Sequence, residues 1–289
     1  MKFLIIDGNS IMNRAFYGVK LPGDDVTMKN NALVGFIRIY LKHLKEEQPK
    51  YAAVAFDVHA PTFRHKMYDA YKGTRQSKPE EFLVQMPVIK EILSALGITV
   101  IEKAGYEADD IIGTLSRVAS EKGISSTIIT GDRDSFQLIN DKVTVLFKSN
   151  KGDVRCTPEN IREAYGVEPR ALIDVKSLMG DKSDNIPGAP GIGEKTALML
   201  INKYQTTDFI YEFVDTLDIP SSVKDKLVRG KEQVELSKKL AEIDLNVPIS
   251  EDMDEYLIHK ADFNRITEIL VRMEMPNTLM RIRHALFNI

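Results

Sequence analysis

In the N-terminal half of the chain, short continuous apolar runs alternate with segments whose apolar residues return every three or four positions. Lys2-Phe3-Leu4-Ile5-Ile6-Asp7 reads as a buried strand. From Asn31 to Glu47, Leu33, Phe36, Ile37, Tyr40, Leu41 and Leu44 share one face of a helix. Tyr51 to Asp57 is a second strand, Gln85 to Leu96 a helix, and Ile98 to Ile101 a third strand. Ala108 to Lys122 is helical, with Ile111, Ile112, Leu115 and Val118 as its apolar stripe. Thr127 to Thr130 and Val143 to Phe147 complete the strands. Strand-helix alternation of this kind predicts an α/β domain over residues 1–169, with a mainly parallel central sheet flanked by helices.

Past Pro169 the strand signals fade. Pro187, Gly188, Pro190, Gly191 and Gly193 punctuate a turn and hairpin, and helical patterns follow over Lys195 to Lys203, Val223 to Gly230 and Lys231 to Ile243. A helical region over residues 170–289 is expected, with no internal repeat or low-complexity tract.

At 289 residues and 43% hydrophobic content the chain can bury one large core or two modest ones, which argues against disorder. No run is long enough to span a bilayer, so no membrane partner is expected. Asp7 interrupts the first apolar stretch too early for a signal peptide. The single cysteine, Cys156, excludes a disulfide framework and a thiolate zinc cluster, and a reducing, cytoplasmic setting follows as the simplest expectation. The net charge of -3 weighs against a nucleic-acid partner only if charge is spread evenly.

It is not. Asp7 and Asp57 end the first two strands, Asp132 and Asp134 follow the fourth, and Glu107, Asp109 and Asp110 precede a helix. The carboxyl ends of parallel strands form one ligand-binding edge, so these acids converge there. Any one of them could be a helix cap. The set is too repulsive for capping alone and calls for divalent cations with all-oxygen ligands. Asp181 and Asp184, three apart, add a further pair.

Between Thr62 and Lys78, Arg64, Lys66, Lys72, Arg75 and Lys78 are interleaved with Phe63, Tyr68 and Tyr71. A solvated charge run is the ordinary reading. Its position over the acidic edge, and its length, favour a lid that follows phosphates and stacks bases. Gly191-Ile192-Gly193-Glu194-Lys195-Thr196 leads into a helix, where glycines and free N–H donors can approach a phosphate, although a tight helix-helix turn would look the same.

In chain order, Asp7-Gly8-Asn9-Ser10 with Arg14-Ala15-Phe16, Ala55-Phe56-Asp57 with Ala60-Pro61-Thr62-Phe63-Arg64-His65, Tyr71-Lys72-Gly73-Thr74-Arg75, Gly105-Tyr106-Glu107-Ala108-Asp109-Asp110, Thr130-Gly131-Asp132-Arg133-Asp134, Gly180-Asp181-Lys182-Ser183-Asp184-Asn185-Ile186-Pro187-Gly188 and the glycine hairpin resemble the 5′-3′ exonuclease domain of bacterial DNA polymerase I, within the flap endonuclease family. The resemblance implies a PIN-like core, a helical arch at about 62–86 and a helix-hairpin-helix at about 186–204. It implies that Asp7, Asp57, Glu107, Asp109 and Asp110 surround one metal and Asp132, Asp134, Asp181 and Asp184 a second, both Mg²⁺ with Mn²⁺ as a substitute. Lys72 and Arg75 then face the scissile phosphate. Arg14, Phe16, Arg64, Lys66, Tyr71, Lys78, Gly191, Gly193, Lys195 and Thr196 contact DNA, and a monovalent cation (K⁺) sits at the hairpin.

The expected protein is a monomeric structure-specific 5′ nuclease that acts on branched, nicked or 5′-flap DNA, including RNA-primed ends, in primer removal and repair. The alternatives are a non-catalytic DNA-binding module, which leaves the acids unexplained, and a single-strand ribonuclease of PIN type, which lacks arch and hairpin. Setting the nine acids aside leaves 39 basic residues against 33 acids, or +6, and two divalent ions would bring the whole to +1.

Overall fold

The computed structural model describes residues 1–19, 26–149 and 151–287. The first part runs β1 (Lys2–Asp7), α1 (Gly8–Gly18), α2 (Asn31–Glu47), β2 (Tyr51–Phe56), α3 (Phe63–Met67), α4 (Glu80–Leu83), α5 (Gln85–Ala95), β3 (Thr99–Glu102), α6 (Ala108–Glu121), β4 (Ser125–Thr130), β5 (Val143–Ser149), β6 (Gly152–Cys156) and α7 (Pro158–Tyr165). Then come α8 (Leu172–Met179), α9 (Glu194–Tyr204), α10 (Thr207–Glu212), α11 (Ser221–Ala241), α12 (Phe263–Arg272) and α13 (Pro276–Phe287).

The strands form one sheet in the order β3-β2-β1-β4-β5-β6, parallel throughout except for β6, which runs antiparallel to β5. Side chains of β1 alternate between two cores: Leu4 and Ile6 pack with α1, α2 and α5, while Phe3 and Ile5 pack with α6. Burial on both faces is why the strand reads as an unbroken apolar run. The order reverses between β1 and β4, so a ligand-binding crevice opens at their carboxyl ends, where Asp7 and the Asp132–Asp134 turn lie. The strands at β1 to β5 and the helices at α2, α5 and α6 match the sequence pattern to within a few residues. The edge strand β6 has mostly exposed residues and no apolar run to announce it.

Three expectations change. The patterns at Val223–Gly230 and Lys231–Ile243 belong to one helix, α11, of 21 residues. Gly230 does not break it but seats it: a Cβ there would lie 2.9 Å from Cα and Cβ of Ala189 in the glycine hairpin. Second, the helical region has its own core of Leu178, Leu200, Ile201, Leu227 and Val234, yet does not extend to the end of the chain. Ile266, Ile269 and Leu270 of α12 and Ile282 of α13 are buried in the core that contains α2 and α5. Backbone hydrogen bonds fasten this return: His259 N–H donates to Gly97 C=O at 3.0 Å and Asp262 N–H to Ala95 C=O at 2.8 Å. Third, the 62–86 segment is helical only in α3, α4 and the start of α5. Between α3 and α4, turns lie down on the acidic edge, pinned where Lys72 N–H donates to Asp184 C=O at 2.9 Å and Asn185 Nδ2 to Ala70 C=O at 2.7 Å. No helix among the described residues is long and apolar enough to cross a membrane.

Gly230→Ala gains helix propensity of about 1 kcal/mol but overpacks the hairpin by about 1–3 kcal/mol. A net fall in thermal midpoint is expected in a melting experiment; a rise would show that α11 and the hairpin are not in tight contact.

Candidate metal centre and nucleic-acid interface

Asp7 both ends β1 and caps α1. Its Oδ1 accepts the Ser10 N–H at 2.9 Å, and its Oδ2 accepts the Thr130 hydroxyl at 2.7 Å from β4. Ser10 Oγ in turn accepts the Gly131 N–H at 2.8 Å. The two strands flanking the crevice are thus tied through the carboxylate itself. Burial raises its pKa to about 7, with the charges of Asp132 and Asp57 adding to the shift.

Asp57 is fixed by two backbone groups. Its N–H donates to Asn9 Oδ1 at 2.8 Å, and its Oδ1 accepts the Ala108 N–H at 2.7 Å. Burial raises its pKa. Asp132 Oδ1 accepts the Asp134 N–H at 3.0 Å, which turns the loop after β4. Asp109, in the first turn of α6, has a buried Oδ1 with no hydrogen-bond partner. Its pKa lies well above the carboxylate range, first from burial and then from Asp7, Asp132 and Asp134.

Asp134, Asp181 and Asp184 bring one oxygen each to within 4.8 Å of one another. Between the first two lies Lys176 of α8, with Nζ 2.5 Å from Asp134 and 2.6 Å from Asp181. Burial raises Asp134 to about 6 against the pull of Lys176. At Asp181 the burial penalty is outweighed by Lys176 and the Ser183 hydrogen bonds, which hold it at about 2. Glu107 accepts Lys72 Nζ at 2.7 Å and the Tyr71 hydroxyl at 2.9 Å. Asp184 accepts Arg75 at 2.5 Å. Lys72 takes φ +55°, a left-handed conformation uncommon for lysine, in the turn that sets it over Glu107. A cleft of about 350 Å³ opens between Asp57, His59, His65, Lys72, Arg75 and Glu107.

A donor set made only of oxygens, with an orphaned buried carboxylate oxygen and three more acids already converged, fits hard divalent cations.

Several sequence expectations need correction. Asp110 is fully buried and both its oxygens accept from Arg64, at 2.7 and 2.8 Å. It braces the site from behind instead of facing a ligand. Arg64 is correspondingly 2% exposed, donates also to the Leu240 and Glu242 carbonyls, and is not a surface that DNA can reach. The rings of Phe16 and Tyr71 are buried too, so they present no face to unpaired bases. Phe16 packs edge-on against Phe82, and Tyr71 is held by Glu107. The charges of Asp7, Asp132 and Asp134 all raise the Asp109 pKa, so Asp109 lies near acids of both groups. Arg14 donates to the Lys148 carbonyl at 2.7 Å and to that of Ser149. Lys66, Lys78, Gly191, Gly193 and Lys195 are exposed and Thr196 is half-buried. Gly191 has φ +82°, and Gly193 precedes α9, whose first N–H groups lack helical partners.

Lys176 was not singled out in the sequence. A lysine in the last turn of a helix is ordinary, because it complements the dipole, and only the fold reveals the two acids around it. Asn9, Ser10 and Thr130 stand within the motifs of the resemblance, but that they tie Asp57, Gly131 and Asp7 in place is visible only in the crevice.

The chain matches the family model for the 5′-3′ exonuclease N-terminal resolvase-like domain over residues 2–166, and that for the 5′-3′ exonuclease C-terminal SAM fold over residues 167–264. It is 41% identical over 286 residues to DNA polymerase I of Caldicellulosiruptor bescii, covering 98% of this chain and 33% of the relative. It is 41% identical over 283 residues to DNA polymerase I of Bacillus subtilis (strain 168), covering 96% and 32%. The chain therefore spans about a third of the length of these relatives. Among solved structures it resembles the D15 protein of bacteriophage T5 co-crystallised with metal ions, with a TM-score of 0.69 and 19% identity over 97% of this chain and 99% of that one. It also resembles human GEN1 in complex with Holliday junction DNA, with a TM-score of 0.62 and 16% identity over 98% and 72%. At these identities the likeness is one of fold. Both halves of the family pattern are present in order, so the chain belongs to the 5′-3′ exonuclease family.

Proposed function

We propose that the chain is a metal-dependent 5′ nuclease that hydrolyses a DNA phosphodiester near the 5′ end of branched, nicked or flap duplexes, RNA-primed ends included. The reading is carried by one observation: acids from five separate segments meet at the crevice of the sheet, with cations of the 62–86 segment on the same edge. Asp134, Asp181 and Asp184, together with Asp132, would hold one divalent ion, and Asp7, Asp57 and Glu107 the other, as Mg²⁺ or Mn²⁺, with Asp109 near both groups. Bound there, such ions would supply the chemistry of activating a water and neutralising charge on the leaving 3′ oxygen.

The chain's own groups orient the substrate. Lys72 and Arg75 exchange their carboxylates for the non-bridging phosphate oxygens. Lys66 and Lys78 follow the strand backbone. Gly191, Gly193, Lys195 and Thr196 at the start of α9 grip the duplex, with K⁺ as the monovalent ion of that hairpin. The products carry a 5′ phosphate and a 3′ hydroxyl. The protein works as a monomer in a cytoplasmic setting, in replication primer removal and repair.

A 5′-labelled flap duplex, with and without Mg²⁺ and in competition with single-stranded RNA, tests the reading. Metal-dependent cutting of the flap near its junction is expected. Binding without cutting points to the non-catalytic module, and preferential loss of the RNA to the ribonuclease. In this assay Asp109→Asn abolishes cleavage while DNA binding persists; near-normal turnover would remove Asp109 from the site.

Lys72→Ala slows single-turnover cleavage by about 10²–10³-fold with little change in affinity. A change confined to affinity would make Lys72 a backbone-positioning residue.

The raised Asp7 pKa has a stability consequence without metal. Between the ordinary carboxylate value of 3.8 and about 7, the folded protein holds a proton that the unfolded chain has lost. Stability therefore falls as pH rises through that window. Asp7→Asn keeps an N-cap and removes the charge. In EDTA it melts higher than the parent above about pH 7, and the advantage vanishes near pH 4. A pH-independent difference would refute this account.

A further inference from the structure

We infer that Lys176 is a resident counter-ion for the second metal position, holding Asp134 and Asp181 together until a divalent ion displaces it. This rests on the metal-site reading above and adds a role for a residue that the sequence pattern did not single out. Lys176 Nζ lies 2.5 Å from Asp134 and 2.6 Å from Asp181, and its side chain is 15% exposed. These are two of the three acids whose oxygens converge within 4.8 Å.

The point that contacts both carboxylates is where a Mg²⁺ or Mn²⁺ ion would sit, because metal–oxygen distances of about 2.0–2.2 Å require the same approach. An ammonium and a divalent cation cannot share it. The two differ in what they achieve. The lysine cancels one of three negative charges, a divalent ion two. The lysine, however, is covalently held in α8 and needs no diffusional encounter, so it competes at high effective concentration.

The geometry permits exchange. The α8 backbone is fixed beyond Lys176, where Gly180 N–H donates to the Lys176 carbonyl at 2.8 Å and Ala189 N–H to the Leu178 carbonyl at 2.8 Å. The lysine stem is unbranched and can swing without moving the helix. Displacement leaves a free ammonium beside the site. An incoming phosphate offers that ammonium a new partner and the metal a further oxygen. The second position consequently fills weakly in the free protein and tightly with substrate, which orders assembly and keeps a fully loaded centre from forming without DNA.

The test uses the intact, unmodified chain without DNA. Amine acetylation at Lys176 is followed by peptide mass spectrometry in EDTA and in saturating Mn²⁺, with exposed Lys239 as the internal reference. Labelling of Lys176 relative to Lys239 rises several-fold with Mn²⁺. Unchanged or slower labelling, in protein shown calorimetrically to bind Mn²⁺, overturns the inference and leaves the metal-site reading standing. As a second arm, Lys176→Met binds its second Mn²⁺ about tenfold more tightly, with the first ion unaffected. Equal or weaker binding of the second ion also overturns the inference. Absence of any Mn²⁺ binding by the parent chain overturns the metal-site reading, and this inference with it.

Discussion

Like charge gathered in one place is the constraint from which the rest of the structure follows. Acids packed at the mouth of a parallel sheet repel one another, and burial strips them of water, so each must be protonated or paired. Asp7 and Asp109 show the first outcome, their pKa values raised by burial and by neighbouring acids, and Asp134 combines both, raised by burial yet paired with Lys176. Glu107, Asp110, Asp181 and Asp184 show the second, with Lys72, Arg64, Lys176 and Arg75 as partners. Apart from Lys176, which lies close to Asp181 in sequence, these cations come from segments far from the acids they pair with. The charge problem thereby binds the 62–86 segment, α6 and α8 to the sheet. The Arg64–Asp110 pair is the deepest, and removing one partner of such a pair typically costs about 3–5 kcal/mol.

The same pairs connect stability to function. A cation that neutralises a carboxylate in the free protein is released when a metal takes that carboxylate, and phosphate is the natural next partner for the released charge. In the proposed reaction the pairs at Lys72 and Arg75 are exchangeable because their side chains reach the cleft. The pair at Arg64 is not, because its guanidinium is also spent on the Leu240 and Glu242 carbonyls. Residues within one basic segment thus divide into those that can serve a substrate and one that anchors the segment.

That division explains what was legible in the sequence. Strands that lead to an acid are visible because burial on both faces makes β1 and β2 continuous apolar runs, and the acid marks where the run reaches the crevice. Asp109 and Asp110 are indistinguishable as text. A step of one residue turns a helix by 100°, which aims Asp109 at the crevice and Asp110 at Arg64, and only the packing of α6 decides which is which. Phe16 and Tyr71 misled for a related reason. Aromatic residues among basic ones fit a stacking surface and a core equally well, and tertiary contacts made them core. Gly230 fits a helix break until the hairpin it accommodates is in place.

The helix that contains Gly230 sets a distance. At 1.5 Å per residue, the stretch of α11 from Gly230 to Leu240 spans about 15 Å. Along its length the glycine hairpin is seated against Gly230 and by a 3.0 Å hydrogen bond from Gly188 N–H to Ser237 Oγ. Its last turn offers the Leu240 carbonyl to Arg64, and Gln137 Nε2 donates to the next carbonyl, that of Ala241, at 3.0 Å. One rigid element therefore carries both the hairpin proposed to grip duplex and the anchor of the acidic edge. In the proposed reaction the spacing between grip and scission is then a property of α11, not of a loop, so that a duplex held at the hairpin would present the same phosphate to the acids each time.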